Sequence, residues 1–230
     1  MPLALDAALL DLAYGGGSFR DRGQVVRFST VDVGPLVLGS GAVAASDPFV
    51  EPEPAPFDRP VPAGSFPVTL ALARYEDDER VAFARVAFAP EAPARWEPAG
   101  VSGTLPGGEP HGYGVDAGTG CFMDPAAGPA LAARMAGDEA YGDRLIAEMD
   151  ASYAPTRSWL TVRPSPDRAE TVVMFSSGWG DGTYPSYFGL AADGRVVALV
   201  TDFLLPLGEE PDRPRPDRPG RPWWRFWSYW

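Results

Sequence analysis

The chain has 230 residues, 45% of them apolar and 22% charged, which is the balance of a globular protein with one sizeable core rather than that of a disordered one. Thirty-one acidic against 19 basic residues give a formal net charge of -12, and a surface of that sign repels phosphate backbones, so general nucleic-acid binding is excluded. All basic residues are arginine, which removes P-loop and Schiff-base lysine chemistry, and the single Cys121 and single His111 rule out an internal disulfide and any Cys/His zinc cluster within one subunit.

The amino terminus has no basic segment before its apolar stretch, and no run approaches the roughly 18 apolar residues of a membrane span. A soluble, cytoplasmic protein without a membrane partner is expected. Leu5, Leu9 and Leu12 recur at helical spacing and "GGGS" at 15–18 ends the run, which predicts a short amphipathic helix over residues 3–13. Strand-like stretches follow at 24–31 and 36–44. Residues 47–67 carry seven prolines and read as an extended surface excursion.

From Phe66 the apolar positions alternate, with Phe66, Val68, Leu70 and Leu72 on one face, and the acidic turn "EDDE" leads into "RVAFARVAFA" at 80–89. The two segments predict a hairpin. An odd-length repeat should swap its faces, so the duplicated pentapeptide predicts no repeated surface. Asp124, Pro125 and Gly137 supply a cap, a first-turn proline and a stop around Leu131 and Met135, and a further helix follows from about Asp138 with Tyr141, Leu145 and Met149 on one side.

"ETVVMFSS", "TYPSYFGL" and "VVALVTDFLL" then read as a three-stranded meander, with "WLTV" at 159–162 as a neighbouring strand and Asp-Gly turns at 181–182 and 193–194. Residues 196–205 are apolar on both faces almost throughout, as an interior strand would be. The whole predicts an α+β fold of mostly antiparallel, sandwich-like sheet with two or three short helices. One domain spans 1–205, a Pro/Arg-rich spacer 206–222 and an aromatic tail 223–230, "WWRFWSYW", which is expected to dock on its own domain or on a second copy.

The segment "YGVDAGTGCFMD" at 113–124 raises the question of chemistry. Its "GVDAGT" matches the phosphate-loop opening of the actin-like and sugar-kinase ATPases, but only about 110 residues follow, without the second phosphate loop that such a site needs. Packing and capping account for Gly118, Gly120, Val115, Phe122 and Asp124, and leave Asp116 and Thr119 unexplained. A hard cation would draw on Asp116, Asp124 and Asp181, yet the spacing lacks the alternating ligands of an EF-hand, so no metal and no cofactor are assigned. Cys121 and His111 are the one nucleophile and base pair available. Trp179, Tyr184, Tyr187 and Phe188 form an aromatic group that serves either the sheet face or a ligand.

Taken together, "SGAVAASDPF" at 40–49, "VPAGSFPVTLALA" at 61–73, "RVAFARVAF" at 80–88, "GYGVDAGTGCFMD" at 112–124 and "SSGWGDGTYPSYFGLAADGRVVALVTDF" at 176–203 resemble, in order, the bacterial domain of unknown function 4241 family. The resemblance implies no activity and transfers no catalytic residue. Two functions are therefore carried forward. The first is a non-enzymatic binding or protein-interaction domain, such as an immunity or regulatory protein, whose acidity suits a basic partner. The second is an enzyme or small-ligand site where the Asp116–Cys121 loop meets the Trp179–Tyr184 hairpin, with Asp116, Thr119, Asp181 and Tyr184 as ligand-binding candidates.

Overall fold

The computed structural model describes residues 5–21, 23–101 and 112–205. His111, the spacer and the aromatic tail, and with them the expected docking of that tail, lie outside the described residues.

The first sheet takes strands β1 (Ser18–Asp21), β2 (Gln24–Leu38), β4 (Gly64–Tyr75), β5 (Asp78–Ala87), β12 (Val196–Asp202) and β11 (Gly182–Leu190) side by side, all antiparallel. The free edge of β11 is shared by β7 (Gly112–Val115) on its first half and β6 (Arg95–Pro98) on its second. A second antiparallel sheet runs in the order β3 (Ala44–Ser46), β8 (Thr119–Met123), β10 (Val172–Ser176), β9 (Trp159–Val162). The two sheets curl into a half-barrel.

Strand alternation sorts the side chains into layers. Leu36, Val68, Leu70, Val86, Phe188 and Leu199 from the first sheet meet Phe122, Val173 and Phe175 from the second in the central core. Behind the first sheet, Leu10 and Ala13 of helix α1 (Ala7–Tyr14) cover Val26, Phe28, Ala73, Phe83 and Val200. Behind the second, helices α2 (Gly128–Gly137) and α3 (Tyr141–Met149) bring Leu131, Tyr141, Leu145 and Met149 onto Cys121, Met123, Val172 and Met174. Burying one such large apolar side chain contributes roughly 1.5–3 kcal/mol, so each layer has its own hold on the next. No helix among the described residues is long and apolar enough to cross a membrane.

Several local expectations stand. The opening helix forms, although it begins at Ala7 rather than at residue 3, where Asp6 caps it by accepting from the Leu9 amide at 3.0 Å; β4 and β5 form the hairpin, and β12 is interior, with β5 and β11 on its flanks. Others change. The stretches 24–31 and 36–44 are largely one strand, β2, which bends at a bulge between Asp32 and Pro35. Gly34 sits there at φ 116°, and a Cβ on it would lie 2.6 Å from the Thr161 hydroxyl, so only glycine lets β2 pass this close to β9.

The duplicated pentapeptide also departs from simple alternation. Ala71 pairs with Phe83 and Leu72 with Val81, so Ala82 is an extra residue in β5. This bulge returns Val81 and Val86 to the same central core. Phe83 is left behind the sheet while Phe88 faces its centre.

The three-stranded meander is corrected to a two-stranded hairpin of β11 and β12. β10 belongs to the second sheet, paired with β8 and, as the 159–162 stretch suggested, with β9. Turn residues mark where a strand ends, but a glycine-rich turn serves a hairpin and a crossing between sheets equally well.

Asp202, at the end of β12, provides a pH test. Burial is the main cause that pushes its carboxyl up to about 6 from an ordinary 3.8; the Leu204 amide opposes this and the charge of Asp6 adds to it. A raised carboxyl favours the fold below the unfolded value and loses that contribution as pH rises through the folded one. Asp202→Asn should therefore be more stable than the parent at pH 7, by on the order of 2–3 kcal/mol. It should also lack the parent's decline between about pH 4 and 6, both read from urea denaturation across pH.

Candidate functional site

β7 belongs to the first sheet and β8 to the second, and residues Asp116 to Gly118 carry the chain between them. β10 belongs to the second sheet and β11 to the first, and Ser177 to Asp181 make the return crossing. The crossings run antiparallel at one corner of the molecule, framed by the pairs Val115 with Gly182 and Thr119 with Ser176. Positive φ angles at Gly118 (63°), Gly178 (51°) and Gly180 (106°) let the chain turn this tightly.

The corner is heavily bonded. The Ser177 amide donates to the Gly118 carbonyl at 3.1 Å, and the Gly180 amide donates to the Ser177 carbonyl at 2.7 Å. Tyr184, buried in β11, donates its hydroxyl to the Gly180 carbonyl at 2.7 Å and stacks edge-on against Phe203, with ring centroids 4.9 Å apart. The Ser177 hydroxyl reaches the same carbonyl at 2.9 Å. From outside, Arg80 donates to the Gly178 carbonyl at 3.1 Å.

The deepest anchor is Asp47, which follows β3 and is 1% exposed. One carboxylate oxygen accepts the Asp116 and Ala117 amides at 3.0 and 2.6 Å, and the other accepts the Phe49 amide at 3.0 Å. Burial pushes its carboxyl up and these amides pull it back down; burial dominates. At the far end of β8, Asp124 is equally buried and accepts from the Gly39 and Ser40 amides at 2.7 and 2.8 Å, from the Ser40 hydroxyl at 2.7 Å and from the Ala126 amide at 2.8 Å. β8, one of the two inner strands of the second sheet, is thus tied at both ends by a buried aspartate.

Three side chains on this frame face solvent. Asp116 and Asp181 are exposed and near enough for the charge of Asp116 to raise the carboxyl of Asp181, an effect second to partial burial and opposed by the Gly118 amide. Trp179 is 47% exposed, with the Arg80 guanidinium 4.0 Å over its ring and the Tyr75 ring 5.8 Å away. An acid pair beside a partly open indole is a surface that can take a cation.

The sequence candidates divide accordingly. Asp116 and Asp181 come together. Thr119 is buried beneath them, its hydroxyl directed at the Ala117 carbonyl at 3.4 Å, and the Tyr184 hydroxyl is committed to the 177–180 turn. Cys121 is fully buried behind the second sheet, 3.7 Å from the Ser46 hydroxyl, and burial pushes its thiol up to about 12. Asp124 is spent on amides and the helix cap. Among the described residues no three His, Cys, Asp or Glu side chains are placed to hold a metal ion. Sequence reasoning missed Asp47, Arg80 and Tyr75; for Asp47 the signal was the Asp-Pro pair in "SDPF", read instead as the start of the proline-rich excursion.

A two-sheet α+β protein whose exposed acid pair stands on a paired crossing between the sheets is the class that this geometry defines. The chain belongs to the family described as Protein of unknown function (DUF4241), which residues 36–201 match, a span that includes both crossings and the two buried aspartates. No curated protein and no solved structure matches it.

Two outcomes follow from these environments. Asp47→Ala leaves three amides without their acceptor and should cost roughly 3–5 kcal/mol in denaturant unfolding. The single thiol should resist a disulfide exchange reagent at pH 8 in the native protein and react at the rate of a free cysteine only in denaturant; full native labelling within minutes would contradict its burial.

Proposed function

We propose that the chain is a non-enzymatic binding protein, immunity or regulatory in kind, and that Asp116, Trp179 and Asp181 form its recognition surface. The observation that carries this reading is the contrast between the rigid frame and what it presents. The Asp116, Ala117, Ser177 and Gly180 amides of the two loops are all bonded, while two carboxylates and part of an indole are left to solvent. Pre-ordered loops lose little entropy on binding, and the carboxylate pair suits a guanidinium or ammonium group of a basic partner protein. The groups that could form covalent bonds here are turned to structure: the thiol is sealed behind a sheet and the Tyr184 hydroxyl holds its own turn.

A second reading, an enzyme or small-ligand site across the Asp116–Cys121 loop and the Trp179–Tyr184 hairpin, draws on the neighbouring carboxylates, where partial burial and then the charge of Asp116 raise the carboxyl of Asp181. Titration of the labelled protein with an arginine-rich peptide, followed by amide NMR, separates them. The binding reading expects shifts at 116–118 and 179–182, and about tenfold weaker binding by Asp116→Asn/Asp181→Asn at low salt. Shifts elsewhere, or equal affinity for parent and double variant, would refute it.

A further inference from the structure

Arg27 on β2 stands directly opposite Arg74 on β4 in the antiparallel register. Like charges so placed repel one another, and in a chain with 31 acidic residues a carboxylate would be the ordinary partner. None is supplied: among the described residues neither arginine has an ion pair. The acid nearest in register is Glu79, opposite Arg74 on β5, and it is turned to Arg157 at 2.8 Å. Other arginines are better provided. Arg80 and Arg195 hold carboxylates at 2.7 Å, and Arg85 lies 3.7 Å over the ring of Tyr14.

The two arginines, which no ion pair among the described residues ties down, line an open groove of about 520 Å³ whose wall also takes in Gly23, Gln24, Val25 and the carboxylate-bearing Glu76. Arg27 and Arg74 share a sheet face with Val31 and Leu70, which belong to the central core, so the groove continues the inner, concave face of the first sheet. Its floor is set by regular strand pairing, and at its end Arg20 donates to the Gly23 carbonyl at 3.4 Å. Two planar guanidinium forks side by side match the charge and the several oxygens of a dianion. Gln24 and Glu76 add an amide and an acceptor for a hydroxyl next to it.

We propose that this groove binds a phosphate monoester, with Arg27 and Arg74 on the phosphate. The site is separate from the Asp116 and Asp181 corner and stands or falls without it. The full chain would be titrated by calorimetry with phenyl phosphate and with a phosphoserine peptide, its unphosphorylated form as control, at constant ionic strength. Saturable binding is expected, weakened about tenfold or more in Arg27→Gln and in Arg74→Gln, and unchanged in Arg163→Gln, an exposed arginine outside the groove. Binding of both probes supports a small-molecule ester as ligand, and binding of the phosphopeptide alone supports a modified protein. Circular dichroism confirms that the variants are folded. No binding of either phosphate, or binding that Arg27→Gln and Arg74→Gln leave intact, overturns the proposal.

Discussion

The buried carboxylate of Asp47 governs how this chain passes between its two sheets. Leaving a sheet exposes backbone amides that the ladder would otherwise satisfy, and amides without partners at a crowded corner are costly. Asp47 accepts the two amides of the first crossing and so allows β7 and β8 to lie in different sheets with only three residues between them. The return crossing then leans on the first, through the Ser177 amide and the Gly118 carbonyl, in addition to the bonds it takes from Tyr184 and Arg80. Removing the carboxylate would therefore loosen both.

The same arrangement explains why the corner is a candidate site at all. Exposed loops are ordinarily the least ordered part of a domain, and function that needs precise placement must be supported from beneath. Here the support is layered. Asp47 and Tyr184 hold the backbone from within, Arg80 from without, and Phe203 packs under the Tyr184 ring. Asp116, Trp179 and Asp181 inherit that order. The charge of the acid pair is undiluted by any arginine ion pair among the described residues, although Arg80 stands over the neighbouring indole.

What could be read from the sequence follows the range of the forces involved. Local patterns gave α1, the β4–β5 hairpin and the buried face of α3, because periodicity and caps act within a few residues. The core strand β12 was visible for the same reason. The assignment of β10 to the second sheet was not, since whether "GWGDG" closes a hairpin or crosses a gap depends on β8, more than fifty positions earlier, offering β10 an edge. Asp47 escaped notice for a like reason, its amide partners lying 69 and 70 residues away. The bulge at Ala82 likewise depends on the facing strand. Asp116 was singled out because packing did not explain it, and the structure places it on the surface beside Asp181, the partner proposed for it.

The central claim is that the corner is exposed yet rigid, and native-state hydrogen exchange tests it most directly. Asp116, Ala117, Ser177 and Gly180 amides should exchange as slowly as those of the flanking strands, because each is bonded within the frame. Exchange of these amides at the rates of unprotected loops, with β8 and β10 still protected, would contradict the account.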